Sequence, residues 1–155
     1  MFFTDIRFCT ERDATQILEV DRTSPYPWPS RTIARDLRNG AELTYLGAFA
    51  TGEEEMLLGY AVLGNENGNG LLMNLLVLSE YRRRGIGMQL VVAAAECAFA
   101  LACPSLVLRV RPSNRAALEL YKSLGFVRGE RRERYYSNGE PAQQMSLQLP
   151  LLLEE

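Results

Sequence analysis

The sequence predicts one α/β domain, a mixed sheet with helices on both faces. Strand-like runs alternate with amphipathic segments along the chain, and a turn-rich segment joins two of those runs as a hairpin. One nearly unbroken apolar run, 71–78, has the pattern of a central strand that is covered on both faces. The chain has 155 residues, 47% of them apolar, which is enough to bury a core. We therefore assign residues 1–150 to a single domain and 151–155 to a short, frayed tail.

Hydrophobic spacing places the elements in the order β α α β β β α β α β β. Strands are expected at 5–9, 43–50, 56–64, 71–78, 106–111, 126–136 and 143–149. Helices are expected at 10–22, 30–37, 87–102 and 113–124. Glycines are expected to end the second and the fourth helix, at Gly40 and Gly125.

Caps and helix breakers mark the ends of these elements. Thr10 and Asp13 have the spacing of a capping box, and Ser113 is the expected cap of the last helix. Three prolines within 24–29 keep that segment out of a helix. The segment 65–70, rich in Asn and Gly, is expected to be a hairpin connection.

The composition limits the possible classes of function. A net charge of −2 leaves no basic excess to neutralise phosphates, so we expect no nucleic-acid partner. No apolar run is long enough to span a bilayer, so no membrane partner is expected. The chain has no histidine, and its three cysteines lack the spacing of a zinc site, so no metal is expected. An odd number of cysteines suits a reducing compartment, and we expect a cytoplasmic protein.

A strand–loop–helix segment has the pattern of an anion-binding site. It consists of Arg82, Arg83, Arg84, Gly85, Ile86 and Gly87. The first N–H groups of a helix have no partners, and the helix dipole favours anions there. Glycines allow a ligand to approach these N–H groups and arginines add charge, so the segment suits a pyrophosphate. It lacks the Walker and Rossmann fingerprints, and the alternative is a basic turn whose glycines only begin the helix.

A second pattern lies on the last helix. The segment 114–126 places Tyr121 on an apolar helical face and ends in Gly-Phe. Tyr121 is either an ordinary core aromatic or a proton donor to a nearby thiolate, because the pKa values of phenols and thiols are close.

These two patterns, in this order, resemble the GNAT superfamily of N-acetyltransferases. The family motif Q/R-x-x-G-x-G/A matches 82–87, and the family's later residues match Asn114, Ala117, Tyr121, Gly125 and Phe126. Shorter matches at Pro27-Trp28, 74–77 and 134–136 resemble the bacterial ribosomal-protein-alanine N-acetyltransferases. The resemblance implies a GNAT-like central mixed, mostly antiparallel sheet of about seven strands.

The resemblance also implies an activity and a set of site residues. The co-substrate would be acetyl-CoA, and the acceptor a primary amine, above all the N-terminal α-amine of a protein such as a ribosomal protein. The amine would attack the thioester directly. Tyr121 would protonate the departing thiolate, and a main-chain amide near Leu76 would stabilise the oxyanion. The coenzyme would contact the main chain of Leu75, Leu76 and Val77, the amides from Arg83 to Met88, and Asn114.

One position departs from that group. Its glutamate general base stands on the strand before Asn114, where this chain has Arg109, and arginine does not deprotonate at useful pH. Glu66 on the hairpin is one candidate base, acting through water. A second explanation is that the amine arrives neutral, since an α-amine has a pKa of about 7.7–8.0. A third is that Arg109 binds an acidic group on a different substrate.

Two other functions therefore stay open at this point. One is an acetyltransferase that acts on a small-molecule amine or on a lysine side chain. The other is a module that binds acetyl-CoA without turnover, which the arginine at position 109 would suit.

Overall fold

The computed structural model describes residues 2–39, 42–52 and 54–152. The strands are β1 Asp5–Phe8, β2 Thr44–Phe49, β3 Leu57–Glu66, β4 Asn69–Val77, β5 Ser105–Val110, β6 Val127–Arg132 and β7 Ala142–Gln148. The helices are α1 Ala14–Asp21, α2 Ser30–Asn39, α3 Ile86–Ala100 and α4 Arg115–Ser123, with short 3-10 turns at Glu11–Asp13 and Ser79–Tyr81. This confirms the predicted fold class and the predicted order of the elements.

The strands form a single sheet in the order β1-β2-β3-β4-β5-β7-β6. Every neighbouring pair is antiparallel except β4 and β5, which run parallel. The parallel pairing covers only residues 70–72 of β4 and 106–108 of β5. Beyond it, β4 keeps β3 on one side, and none of the strands in the described part of the chain pairs with it on the other. The sheet therefore opens into a cleft between the second halves of β4 and β5.

Each face of the sheet has its own core. On one face, α3 and α4 bury residues such as Leu90 and Tyr121 against the sheet. On the other face, α1 and α2 bury Ile17 and Ile33 against Tyr60. Helices on both faces are thus confirmed, because each layer covers one side of the same central strands.

The β3–β4 hairpin is tighter than predicted. The sequence suggested a connection over 65–70, whereas the strands continue to Glu66 and from Asn69. Only Asn67 and Gly68 form the turn, with φ values of 54° and 87°. Asn-Gly tolerates positive φ at both turn positions, and such a turn matches the twist of the strands, so pairing extends to the tip.

The ends of three other elements also differ from the prediction. β6 ends at Arg132 and not at 136, because residues 133–141 form a loop with Arg134 at φ 52°. The cap of α4 is Asn114 and not Ser113, since the Asn114 side chain accepts from the Ala117 N–H. β4 is not covered on both faces along its whole length, and Met73 is 42% exposed.

Two predicted helix ends are confirmed, and two further predictions lie outside the described residues. The capping interaction of Asp13 is present, because its carboxylate accepts from the Thr10 N–H at 2.8 Å. Gly125 follows α4 with φ 99°, as expected of a helix-ending glycine. The predicted stop at Gly40 and the end of the tail, 153–155, lie outside the described residues.

Candidate active site

The free edge of β4 offers main-chain groups to a ligand. Leu78 donates its N–H to the Leu58 carbonyl of β3 at 2.9 Å. Main-chain groups alternate in direction along an antiparallel strand, so Leu76 also faces β3, whereas Leu75 and Val77 face the cleft. The expectation for Leu76 is therefore corrected, because the register commits its main chain to the sheet. The groups available to an added strand are the Leu75 carbonyl and the Val77 N–H, because the Leu75 N–H donates to Asn74 Oδ1 and the Val77 carbonyl accepts from Arg82.

A chain of hydrogen bonds, buried at Tyr60 and Asp21, ends at this edge. Asn74 accepts the Leu75 N–H through Oδ1 at 3.0 Å and donates through Nδ2 to Tyr60 Oη at 2.9 Å. Tyr60 donates to Asp21 Oδ1 at 2.6 Å, and Asp21 Oδ2 accepts the Trp28 N–H at 2.8 Å. Burial, followed by the contact with Asp21, raises the pKa of Tyr60 well above its ordinary range, so the phenol stays a donor. The chain links the β4 edge to the α1–α2 loop, 22–29.

The glycine loop, 82–87, leads from β4 into α3. Gly85 precedes the helix with φ 84°, in the left-handed region that favours glycine, and Arg83 has φ 62°. The amides of residues 83–88 donate to no acceptor among the described residues. These N–H groups are the unpaired donors that the sequence predicted at the start of α3.

Gly87 has a packing role as well. A Cβ on Gly87 would lie 3.3 Å from Leu120 Cδ2 of α4. A side chain there would require Leu120 to shift by a few tenths of an ångström. Gly87 therefore lets the helix that begins at the glycine loop lie close to the helix that carries Tyr121.

The three arginines of the glycine loop are exposed but differ in their contacts. Arg82 donates from Nε to the Val77 carbonyl at 3.1 Å, which ties the loop to the cleft-facing edge of β4. The guanidinium of Arg84 lies 5.2 Å from the centre of the Tyr81 ring and 5.6 Å from that of Phe2. Arg82 and Arg84 are thus held by the protein.

The N-terminal segment braces the same loop, a role that the sequence did not reveal. Gln89 of α3 donates to the Phe2 carbonyl at 2.6 Å and to the Gly85 carbonyl at 3.2 Å. Its Oε1 accepts the Thr4 N–H at 3.1 Å, and the Phe2 N–H donates to the Arg84 carbonyl at 3.1 Å. No local sequence pattern connects these residues, because the contacts span more than eighty positions.

Tyr121 and Asn114 lie on α4. Tyr121 is buried, with its ring centre 5.4 Å from that of Phe126. Burial raises the pKa of Tyr121, and the neighbouring Tyr136 raises it further, so the phenol holds its proton at neutral pH. Asn114 caps α4 through Oδ1, at 3.2 Å from the Ala117 N–H, which leaves its Nδ2 for a ligand.

Glu66, the candidate base, is not brought to the free edge of β4. Its main chain pairs with Asn69, six residues before Leu75, which is about 20 Å along the strand. Its carboxylate accepts from both terminal nitrogens of Arg109, at 2.9 and 2.5 Å. These hydrogen bonds lower the pKa of Glu66, which makes the carboxylate a weaker base.

A cluster around Arg111 joins two loops near Tyr121. Arg111 follows β5, and its guanidinium carbon lies 3.6 Å from the centre of the Tyr26 ring and 3.8 Å from that of Tyr136. It also forms an ion pair with Glu140 at 3.0 Å. Tyr26 belongs to the α1–α2 loop, whereas Tyr136 and Glu140 belong to the β6–β7 loop, 133–141. The sequence predicted strand aromatics here and gave no signal of the cluster.

The described residues offer neither a metal-binding cluster nor a membrane-spanning helix. Within residues 2–39, 42–52 and 54–152, no three His, Cys, Asp or Glu side chains are grouped so that they could hold a metal ion. No helix in the described part of the chain is long and apolar enough to cross a membrane.

Known proteins are similar to this chain in fold and in sequence. The profile of the acetyltransferase (GNAT) family matches residues 12–126. The crystal structure of the ribosomal-protein-S18-alanine N-acetyltransferase from Escherichia coli has a TM-score of 0.82 and 26% identity, over 98% of this chain and 97% of that one. The [ribosomal protein bS18]-alanine N-acetyltransferase of Salmonella typhimurium is 30% identical over 119 residues, 77% of each chain. The architecture is thus that of an N-acetyltransferase.

The chain belongs to the acetyltransferase (GNAT) family. A further relative is N-alpha-acetyltransferase 30 of Xenopus laevis, which is 44% identical over 80 residues. That match covers 52% of this chain and 29% of the relative. The chain therefore spans less than a third of the length of this relative.

Proposed function

We propose that this chain transfers the acetyl group of acetyl-CoA to the N-terminal α-amine of a protein. One observation carries the proposal: the cleft-facing main chain of Leu75 and Val77 leads directly into a loop with unpaired amides at 83–88. A strand-like pantetheine arm and a pyrophosphate need these two kinds of donor in this order. Tyr121 supplies a protonated phenol on the adjacent α4.

We propose the following steps for the acetyl transfer. The neutral amine nitrogen attacks the thioester carbon to give a tetrahedral oxyanion, which collapses with cleavage of the carbon–sulfur bond, while the nitrogen loses one proton to solvent and Tyr121 later regains one from solvent. The cleft-facing N–H of Val77 stabilises the oxyanion, and Tyr121 gives its proton to the departing thiolate. The protein contributes mainly by positioning the two reactants, since no acyl-enzyme is formed.

The Arg109–Glu66 pair bears on how the amine loses its proton. Arg109 does not act as a base, and Glu66 is paired and of lowered pKa. The amine is therefore proposed to arrive neutral. At pH 7 roughly a tenth of an α-amine is neutral, against less than about one in a thousand for a lysine side chain. This difference favours an N-terminal acceptor over a lysine.

The names of the relatives support the same acceptor class. They are N-alpha-acetyltransferases, and one of them is named for the alanine terminus of a ribosomal protein. We propose that the acceptor enters between the α1–α2 loop and the β6–β7 loop. A ribosomal protein is one candidate acceptor within this class.

An acetyl-transfer panel tests the proposal. It contains peptides that begin with Ala, Ser or Met, together with free amino acids, polyamines and a lysine-containing peptide with a blocked N-terminus. The proposal predicts transfer to peptides with free N-termini. Transfer to small amines alone would replace it with the small-molecule alternative. Binding of acetyl-CoA without transfer to any amine would indicate the non-catalytic module.

A further inference from the structure

Arg111 is the point at which the two loops beside the proposed acceptor entrance meet. Its guanidinium carbon lies over the ring of Tyr26 in the α1–α2 loop and also over the ring of Tyr136 in the β6–β7 loop. Both distances, 3.6 and 3.8 Å to the ring centres, are those of direct stacking. The Arg111 guanidinium therefore contacts both the α1–α2 loop and the β6–β7 loop and sets the distance between them.

The edge of the same guanidinium is bound by the β6–β7 loop. Nη1 donates to Asn138 Oδ1 at 3.1 Å and to Glu140 Oε1 at 3.0 Å. The side chain of Arg111 is only 14% exposed, so its charge is compensated inside the cluster. A planar fork with two stacking faces can satisfy all of these groups together, whereas a lysine ammonium can satisfy only part of them.

The α1–α2 loop has a second anchor away from Arg111, and the β6–β7 loop is closed by a hydrogen bond of its own. The α1–α2 loop is held through the Trp28 N–H by the buried Asp21. The β6–β7 loop is closed by the Gly139 N–H, which donates to the Tyr136 carbonyl at 2.8 Å. Tyr26, by contrast, is 50% exposed, so burial alone does not hold its ring. The position of Tyr26 therefore depends on the stack with Arg111.

We propose that Arg111 is a positioning residue for the acceptor, holding the two loops at the separation that admits a polypeptide end beside Tyr121. This inference rests on the proposed function. Hydrogen bonding places Arg111 next to α4, because its carbonyl accepts the N–H of Asn114 at 2.9 Å and Asn114 caps the helix that carries Tyr121. Arg111 makes none of the coenzyme contacts proposed above, so its effect falls on the acceptor.

Steady-state kinetics with the best peptide acceptor test the role of Arg111. In Arg111→Met, the KM for the peptide is expected to rise about tenfold or more, while the KM for acetyl-CoA stays within about twofold. Arg111→Lys keeps the charge but loses the planar fork. Its KM for the peptide should lie between those of Arg111→Met and the wild type. The control is Arg128→Met, at an exposed arginine of β6, which should change neither constant. Equal increases in both KM values for Arg111→Met would overturn the proposal.

The stacking partner provides a second test. Tyr26→Phe keeps the aromatic face and should keep the peptide KM within about twofold of wild type. Tyr26→Leu keeps an apolar side chain without that face and should raise the peptide KM severalfold. If the peptide KM of Tyr26→Leu equals that of Tyr26→Phe, the stack between Tyr26 and Arg111 does not position the acceptor.

Hydrogen exchange of the free protein separates this inference from the proposed activity. Arg111→Met should speed the exchange of amides in both loops, 22–29 and 133–141, and leave the amides of α3 unchanged. If the wild type acetylates no peptide, the proposed function fails, yet the exchange result still shows whether Arg111 holds the loops together. Unchanged exchange in either loop would contradict that linkage.

Discussion

Arg109 and Glu66 form a two-pronged ion pair across 43 positions of sequence, with Nη1 to Oε2 at 2.9 Å and Nη2 to Oε1 at 2.5 Å. The Arg109 side chain is 11% exposed, and its buried Nε has no hydrogen-bond partner among the described residues. The base expected from related enzymes is thus replaced by a cation that a carboxylate already neutralises. This pairing disfavours both an acidic substrate group at Arg109 and a free carboxylate base at Glu66.

The ion pair predicts a pH-dependent loss of stability in Glu66→Gln. The folded-state pKa of Glu66 is lowered, so its stabilising contribution is present above the ordinary carboxyl pKa of about 4.3 and is lost as the pH falls through the lower folded value. Urea unfolding should show Glu66→Gln less stable than wild type at pH 7, and by a smaller margin at the most acidic pH at which both proteins still fold. An equal difference at both pH values would show that the charge of Glu66 is not responsible.

The same substitution tests the protonation step. If the amine arrives neutral, kcat/KM should rise with pH through the pKa of the acceptor's α-amine, near 7.7–8.0. Glu66→Gln should leave this rise where it is. A lower-pH limb that disappears in Glu66→Gln would instead identify Glu66 as the base.

Tyr121→Phe should lower kcat with little change in acetyl-CoA affinity. Phenylalanine fills the same buried volume against Phe126 but has no proton for the thiolate. General-acid catalysis contributes about 10²–10⁴-fold, so a loss of at least tenfold is expected. The matched control is Tyr45→Phe, which removes a buried phenol that donates to Asp36 at 2.9 Å on the opposite helical layer. An equal loss of kcat in both variants, or a parallel loss of affinity in Tyr121→Phe, would contradict the proton-donor role.

Gly85→Ala should weaken acetyl-CoA binding about tenfold or more in calorimetry, because the loop must leave the conformation that presents its amides. The control is Gly68→Ala on the hairpin tip, where φ is 87° and nothing lies within 4 Å of an added Cβ. Gly85 has φ 84°, which is close to the value at Gly68. Because alanine is strained in this left-handed conformation, each variant should lose about 1–2 kcal/mol of unfolding free energy. Only Gly85→Ala should lose affinity for acetyl-CoA. Equal acetyl-CoA affinities in the two variants would show that the glycine loop is not part of the binding site.

The sequence predicted those features that depend on local patterns. The order of the elements follows from hydrophobic spacing, and the start of α3 follows from Gly85 in its loop. Tyr121 falls on a buried helical face, as its spacing within 114–126 predicted. Each of these features is decided within one element or at one of its ends, where local pattern is informative.

The features that were missed depend on register or on distant contacts. The direction of the Leu76 main chain follows from the alignment of β3 with β4, and hydrophobicity does not show it. The pairing of Glu66, the candidate base, with Arg109 is also not visible in local pattern, because the two residues are 43 positions apart. The Arg111 cluster joins Tyr26 to a residue 85 positions later, and no local pattern connects these residues.

The most direct measurement is tandem mass spectrometry of two peptides after reaction with acetyl-CoA. One peptide has a free N-terminus and an internal lysine, and the other is identical except for a blocked N-terminus. The proposed function predicts a single acetyl group on the α-amine of the first peptide and no modification of the second. Acetylation of the lysine in both peptides, with the free α-amine left unmodified, would contradict it.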